Sequence, residues 1–369
     1  MKAIFILALL LSPFFHTVLA LFLRKGLSRS YLKKPNNLVP VSVVVAVRNE
    51  AAHIKRCLIS LDQLDYPAHL LEIFIINDRS TDETHQIISD FIRKKPHFFY
   101  LVNQNKNSQL SGKANAVSAA IEKSHGEVIF ITDADCEVPK TWIKEMIPYF
   151  QNEVGIAAGF TRLAHTNGLL SNLQSLDWAY LLTVAAGSIG LGFPLTSIGN
   201  NFAIRRQVYQ AVGGYQGVGF SVAEDFALLQ AVAKITNWKI IAPVCSENIV
   251  SSMPVNNLWA FFKQRKRWAI GGRTVHWFGK LLIVTSFFTQ TSILLLLLLG
   301  NFLIAAAALL ITLAGDLILL FPILKKANRL NDLLLLPVYK IFSFFYMAIL
   351  SIILLINPTV EWKGEKYFR

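Results

Sequence analysis

From Leu281 to Gly315 the chain runs for 35 residues without a single Asp, Glu, Lys or Arg. As one helix that run would rise about 52 Å, far beyond the ~30 Å hydrocarbon core of a bilayer. A hairpin resolves the mismatch, with its turn near Gly300-Asn301 and its second arm ending near Leu324. Lys325, Lys326 and Arg329 follow and read as a return to the cytoplasm. Ala3 to Leu23 is a second uncharged run; as a helix it rises roughly 31 Å, one crossing. Arg24, Lys25, Arg29, Lys33 and Lys34 flank it on the cytoplasmic side. A cleaved signal peptide is the rival, because Val18-Leu19-Ala20 loosely resembles a cleavage site. The positive flank lies on the wrong side for that. Residues 1–23 therefore read as an uncleaved anchor, 24–40 as a basic linker and 280–324 as a transmembrane hairpin.

A further apolar stretch, Leu333 to Ile356, contains Pro337 and Lys340. It either crosses or lies in the interface as a bent helix, which decides the side of the tail at 357–369. Asp316, inside the second hairpin arm, is a candidate functional residue by position. The plainer reading, an acid facing a neighbouring helix or the headgroups, is preferred. These segments predict a multi-pass protein of the cell (inner) membrane with a cytoplasmic globular domain.

The whole chain of 369 residues is 53% hydrophobic and only 16% charged. That excludes intrinsic disorder and argues against a simple soluble enzyme. The net charge of +13 would suit a nucleic-acid binder, but the basic residues gather around the membrane segments and no nucleic-acid motif accompanies them. Three scattered cysteines, Cys57, Cys136 and Cys245, make neither a disulfide framework nor a zinc cage.

Residues 41–279 read as an α/β domain. Val41 to Val47 is a β-branched run of the kind buried on both faces of a sheet. Strands are predicted over 71–76, 98–102 and 127–132, alternating with helical patterns after Asn49-Glu50, from Ser80 to Phe91 with Ser80 or Thr81 as cap, and over 112–124. That alternation implies a mainly parallel sheet, which binds ligands beyond the carboxyl ends of its strands. Polar groups collect at those ends: Arg48-Asn49-Glu50, Asn77-Asp78 and Asp133-Ala134-Asp135.

Asp133 and Asp135, spaced i, i+2 on the turn leaving a strand, suit one hard cation and its bound phosphates; Mg²⁺ or Mn²⁺ fits. Asp78 at a strand tip can take hydrogen bonds from a base or ribose, whereas Ser80 and Asp82 read as helix caps. Ser111-Gly112-Lys113-Ala114-Asn115 lacks the first glycine and the Ser/Thr of an ATPase phosphate loop, so that reading fails. Lys113 at a helix start can still meet a nucleotide electrostatically. Glu224-Asp225 before an apolar helical run offers either two acids favourable to the helix dipole or a general base. Gly213-Gly214 and Gly217-Val218-Gly219 upstream suggest a mobile or tightly turned loop. Gln264, Arg267 and Trp268, spaced i, i+3, i+4, share one helix face. There an arginine can clamp a diphosphate and a tryptophan can stack on a sugar or acceptor.

In order, these elements resemble the inverting, membrane-bound family 2 glycosyltransferases with a GT-A fold. Ser42 to Glu50 resembles the opening strand and its nucleotide-binding tip, Asn77-Asp78-Arg79-Ser80-Thr81-Asp82 the D-D-x-S-x-D segment, and Asp133-Ala134-Asp135 the D-x-D. Glu224-Asp225 with Gln264-x-x-Arg267-Trp268 resembles the E-D and Q-x-x-R-W pair, and with the membrane layout the ceramide glucosyltransferase-like branch. Asn77 replaces the first acid of its segment, and Arg48 the aromatic residue usual before Asn-Glu. The resemblance implies an α/β GT-A domain plus transmembrane helices, taking a UDP- or GDP-linked sugar. It implies Mg²⁺ or Mn²⁺ held by Asp135 and assisted by Asp133, with Glu50 and Asp78 facing the nucleoside. Asp225 becomes the base and Arg267 helps the departing diphosphate. A lipid acceptor at the inner leaflet is expected, because three or four spans are few for an export channel; polysaccharide synthesis on a glycan acceptor is the alternative.

Overall fold

The computed structural model describes residues 2–34, 38–103, 110, 112–151, 153–357, 359–362 and 365–367. Ser111, in the element that was compared with a phosphate loop, lies outside them, as do parts of the linker and tail.

Strands β1 (Val41–Val47), β2 (Leu71–Asn77), β3 (Phe98–Val102), β4 (Val128–Asp133), β5 (Val154–Ala158), β6 (Thr161–Leu163), β7 (Phe202–Arg205), β8 (Lys239–Ile241) and β9 (Val250–Ser252) build the α/β domain. A seven-stranded sheet runs β3-β2-β1-β4-β7-β5-β8, and β6 pairs with β9 beside it. All its pairings are parallel except those of β7, which lies antiparallel between β4 and β5. The β-branched β1 runs through the middle of the sheet, buried on both faces as its composition requires. Val41, Val43, Val45 and Val47 enter one core and Val44 the other. Register aligns the strand ends: Val47 lies opposite Asn77, Ala46 opposite Asp133, and Asn77 opposite Val102. Three polar tips distant in sequence therefore share one edge.

The helices are α1 (Lys2–Leu27), α2 (Ile54–Asp62), α3 (Thr84–Ile92), α4 (Gly112–Lys123), α5 (Trp142–Met146), α6 (Leu169–Gly190), α7 (Arg206–Ala211), α8 (Gly214–Val218), α9 (Glu224–Ile235), α10 (Leu258–Gly271), α11 (Trp277–Leu298), α12 (Phe302–Lys326) and α13 (Leu336–Ile356). Among the described residues, four of them are long and apolar enough to cross a membrane: α1, α11, α12 and the segment containing α13. The turn between α11 and α12 falls at residues 299–301, with Gly300 in the left-handed region at φ 73°.

α3 begins at Thr84, later than Ser80, and neither expected cap serves it. The Ser80 hydroxyl instead accepts the Asn49 N–H at 3.0 Å, and Thr81 donates its N–H to Asn49 Oδ1 at 2.8 Å. The strand-tip loop competes for those groups and delays the helix. Asp82 does reach the start of α3, accepting from Thr84 N–H at 3.1 Å.

α6 was not legible in the sequence. It has no solvent-facing polar stripe, since Gln174, Ser175, Asp177, Thr183 and Ser188 are buried along with its apolar residues; it joins the α/β domain to the membrane helices. α1 crosses it at glycines, where a Cβ on Gly26 would lie 1.9 Å from the Gly187 carbonyl oxygen. Small residues allow that approach between backbones. α13 is long enough to span, yet the segments on either side of it both meet the α/β domain. It follows α12, whose terminal Lys326 donates to the Val244 carbonyl at 2.7 Å. Beyond it, β10 (Val360–Trp362) pairs with β11 (Glu365–Tyr367) and packs against α10.

Candidate active site

The shared strand edge opens on a cavity of about 1150 Å³. Glu50, Asp78, Lys113, Asp133, Asp135 and Asp225 line it from the sheet and from α4 and α9. Gln264, Arg267 and Trp268 line it from α10. The nine residues read from sequence as catalytic, nucleotide-binding or metal-binding thus border one space.

The strand-tip turns at one end of the cavity are built on strain. Asn49 and Arg79 adopt left-handed backbone, φ 52° and 60°, in the turns leaving β1 and β2. Such conformations are uncommon for non-glycine residues and persist only where surroundings hold them. Here Asn77 does part of the holding. Its Oδ1 accepts the Ser80 N–H at 2.9 Å and its amide donates to the Tyr100 hydroxyl at 2.9 Å. The amide in place of an acid is therefore a loop brace. Asp78 is buried and engaged: Arg79 Nε and Asn103 Nδ2 each donate to its Oδ1 at 3.1 Å, and Arg48 stands 3.8 Å from Oδ2. Arg48, the second departure from the family pattern, supplies counter-charge to that carboxylate.

At the other end the acids outnumber the cations. Lys113 Nζ lies 2.5 Å from Asp133 and 3.1 Å from Glu224. Burial alone would push this lysine down, but Asp133, Glu224 and Asp225 outweigh it and hold the ammonium well above its ordinary range. Lys113 thus sits among the acids of the cavity. Burial, with Asp133 and then Glu50 nearby, raises the Asp135 carboxyl to about 6. Burial pushes the Cys136 thiol up, so it keeps its proton and donates to Asp135 Oδ1 at 3.3 Å. Asp225 is likewise raised to about 6, by burial and by Glu224, with Lys113 opposing. Its Oδ2 accepts the Gly199 N–H at 2.6 Å and its Oδ1 that of Phe226 at 2.8 Å, so the carboxylate is fixed in orientation at the cavity wall.

No group of three His, Cys, Asp or Glu residues able to hold a metal occurs among the described residues. Asp133 and Asp135 offer carboxylate oxygens only, and their mutual repulsion is relieved by a hard cation that keeps open positions for phosphate oxygens and water. The donor set fits Mg²⁺ or Mn²⁺.

On α10 the geometry adds a residue that sequence reasoning missed. Arg265 is buried, its Nε donating to Asp177 Oδ2 at 2.9 Å and its Nη1 to Gln264 Oε1 at 2.9 Å. It lies between Phe261 and Trp268, 4.6 and 4.3 Å from their ring centroids. Trp268 in turn packs against Trp178 of α6. Arg267, the motif arginine, faces the cavity and donates to the Val222 carbonyl at 3.2 Å, tying α10 to the loop before Asp225. Asp177 was the available signal, an acid inside an apolar stretch, and its partner across 88 residues was not readable from spacing.

The sequence profile of glycosyl transferase family 21 matches residues 4–368. The chain belongs to this family. Family 21 is GT-A-like and ceramide glucosyltransferase-like, the branch that the ordered motifs resemble. The beta-monoglucosyldiacylglycerol synthase of Nostoc sp. is 28% identical over 281 residues, 73% of this chain and 56% of that protein. The probable glycosyltransferase YdaM of Bacillus subtilis is 27% identical, covering 69% of this chain and 63% of its own. The poly-beta-1,6-N-acetyl-D-glucosamine synthase of Staphylococcus epidermidis is 28% identical, covering 68% and 59%. The family 21 chain thus spans less than two thirds of the length of these relatives. Among solved structures, the mannosyltransferase PcManGT from Pyrobaculum calidifontis, in complex with GDP-Man and Mn²⁺, superposes with a TM-score of 0.60 at 18% identity, over 92% of this chain and 97% of that one. The fold is GT-A with added membrane helices.

Proposed function

We propose that this family 21 protein is an inverting glycosyltransferase. It moves a sugar from a UDP- or GDP-linked donor to a lipid acceptor at the cytoplasmic face of the cell membrane. One observation carries the reading: acids from β1, β2, β4 and α9 and the Gln264, Arg267, Trp268 face of α10 converge on a single cavity beside the membrane helices. α1, α11 and α12 would span, and α13, whose flanking segments both meet the catalytic domain, would lie at the inner interface. The tail then stays cytoplasmic.

Glu50 and Asp78 would face the nucleoside, with the strained tips holding them in place. Asp135, assisted by Asp133, would hold Mg²⁺ or Mn²⁺, which when bound supplies Lewis-acid stabilisation of the departing diphosphate. Arg267 adds a bidentate donor for the same charge. Asp225, oriented by the Gly199 N–H, takes the proton of the acceptor hydroxyl as its oxygen bonds to the anomeric carbon. The carbon–diphosphate bond breaks on the opposite face, and the configuration inverts. A carboxyl raised to about 6 is still ionised at neutral pH and is a stronger base than an ordinary aspartate.

Purified protein in detergent should release UDP or GDP from one nucleotide sugar only with divalent metal, and faster with added lipid extract. Equal release with soluble oligosaccharide and none with lipid would favour the alternative, a glycan acceptor, which the similarity to a poly-N-acetylglucosamine synthase keeps open.

A further inference from the structure

The cavity does not end at the catalytic acids. It continues along one stripe of α11, where Lys280, Ile283, Val284, Phe287 and Phe288 recur at helical spacing. The opposite wall is a stripe of α13: Tyr346, Met347, Leu350, Ser351 and Leu354. α11 packs mainly on α1 and α12 and α13 mainly on α6 and α10, so the two helices barely touch each other. Gln290 Nε2 reaches Ser343 Oγ at 3.4 Å where they do. The result is a trough that is apolar along its length, open to the bilayer and continuous with the space around Asp225. Ile283 and Phe288 remain 62% and 57% exposed, so none of the described residues fills it.

The stripe changes chemistry along its axis. Lys280 is exposed and meets no acid among the described residues, and Arg273, also exposed, lines the same cavity. Exposed lysines and arginines at a helix end sit at headgroup level. One turn further, from Ile283, the trough is hydrocarbon.

Resting on the glycosyltransferase reading, we infer that this trough is the tail subsite of the acceptor. The occupant is a lipid alcohol whose chain lies between α11 and α13 and whose reacting hydroxyl stands at headgroup level, in reach of Asp225. It enters sideways from the inner leaflet without leaving the membrane. A tail already in lipid gains little hydrophobic free energy by moving into an apolar trough, so the trough orients the hydroxyl rather than supplying affinity.

The test uses full-length protein in nanodiscs and a diacylglycerol with a photoreactive acyl chain. Labelling should concentrate on residues 283–288 and 346–354, and unlabelled diacylglycerol should suppress it at least tenfold more effectively than phosphatidylcholine, which has the same tails but no free hydroxyl. Leu350→Trp and Val284→Trp should each reduce that labelling at least fivefold, whereas Leu310→Trp on the outer face of α12 should not. Binding of a UDP- or GDP-sugar reports that the variants remain folded. Equal suppression by phosphatidylcholine, or labelling spread over the outer faces of α11 and α12, would overturn the subsite. Nucleotide-sugar binding with an unlabelled trough sinks the subsite alone, whereas no binding of any nucleotide sugar by the unmodified protein sinks the transferase reading beneath it.

Discussion

Two sets of acids, one buried among helices and one half-buried at the cavity, lie within one small protein, and they are handled in opposite ways. Asp316, on α12, is fully buried and surrounded by partners: His16 at 2.9 Å, the Tyr180 hydroxyl at 3.0 Å and Lys340 at 2.5 Å. Asp177, on α6, is similar, with Arg265 on one oxygen and the hydroxyls of Tyr339 and Tyr346 on the other at 2.8 and 2.9 Å. At the cavity, by contrast, Asp133, Asp135, Glu224 and Asp225 share chiefly one lysine. A buried acid matched by cationic and hydroxyl partners from neighbouring helices is a joint between them. A cluster left short of positive charge stores free energy that a cation and a transition state can release. The acid inside the membrane, which looked functional by position, belongs to the first kind. It faces neighbouring helices, as the plainer reading of Asp316 anticipated.

The largest effect should come from the unbalanced set. Asp225→Asn keeps the shape and loses the base, so transfer should fall by roughly 10²–10⁴. Titration calorimetry with the donor sugar should give an unchanged Kd. Full turnover in the variant would remove Asp225 from the mechanism and erase the contrast on which the assignment rests.

Asp316→Ala is the counterpart. It strands Lys340 and breaks bonds to three helices, so stability should fall by about 3–5 kcal/mol, read as a lower Tm in detergent. Transfer per folded molecule should stay within twofold. If Tm holds and transfer disappears, Asp316 takes part in the chemistry and the division into joints and site is wrong.

The same division explains what the sequence could and could not reveal. The opening strand, the first three βα units and the polar strand tips were readable because buried parallel strands are long, β-branched and end abruptly in polar residues. β6 to β9 escaped notice because they are three or four residues long, too short for any periodicity to register, and β5 because its Val-Gly-Ile-Ala-Ala run is poor in β-branched and aromatic residues. α6 escaped because a helix buried on all sides has no polar face. The site acids were visible as a set only because their order matched a family; nothing in their spacing says that Asp133 and Glu224, on β4 and α9, meet the same lysine. Arg265 was hidden inside its own motif, since the spacing that aligns Gln264, Arg267 and Trp268 turns Arg265 toward Asp177 and away from attention.

A smaller effect is expected at Lys113, which holds the two acid groups together. Lys113→Met should lower the Tm of metal-free protein by an amount equivalent to about 1–3 kcal/mol, the worth of charge-assisted bonds at a partly open site. Mn²⁺ should then restore more stability to the variant than it adds to the unaltered protein, because the cation and the ammonium relieve the same repulsion. Equal Mn²⁺ stabilisation in both would mean that the lysine and the metal act on separate groups.

The smallest effect, and the one with the most informative sign, is the pH dependence of the two raised carboxyls. Asp135 and Asp225 go from an ordinary 3.8 to about 6 in the folded protein. A group whose folded pKa is raised binds its proton more tightly when folded. Its contribution to stability is therefore complete below the unfolded value and lost as pH rises through about 6. For metal-free protein, moving from pH 7.5 to pH 5 should add about 1 kcal/mol per group. Transfer should move the other way, falling through the same interval as Asp225 takes up the proton it must lack. The comparison that isolates these groups is the doubly substituted Asp135→Asn, Asp225→Asn protein, whose Tm should be higher at pH 7.5 and should gain less on acidification than the parent. If both proteins respond identically to pH, the cavity acids are not raised, and the imbalance that separates them from Asp177 and Asp316 does not exist.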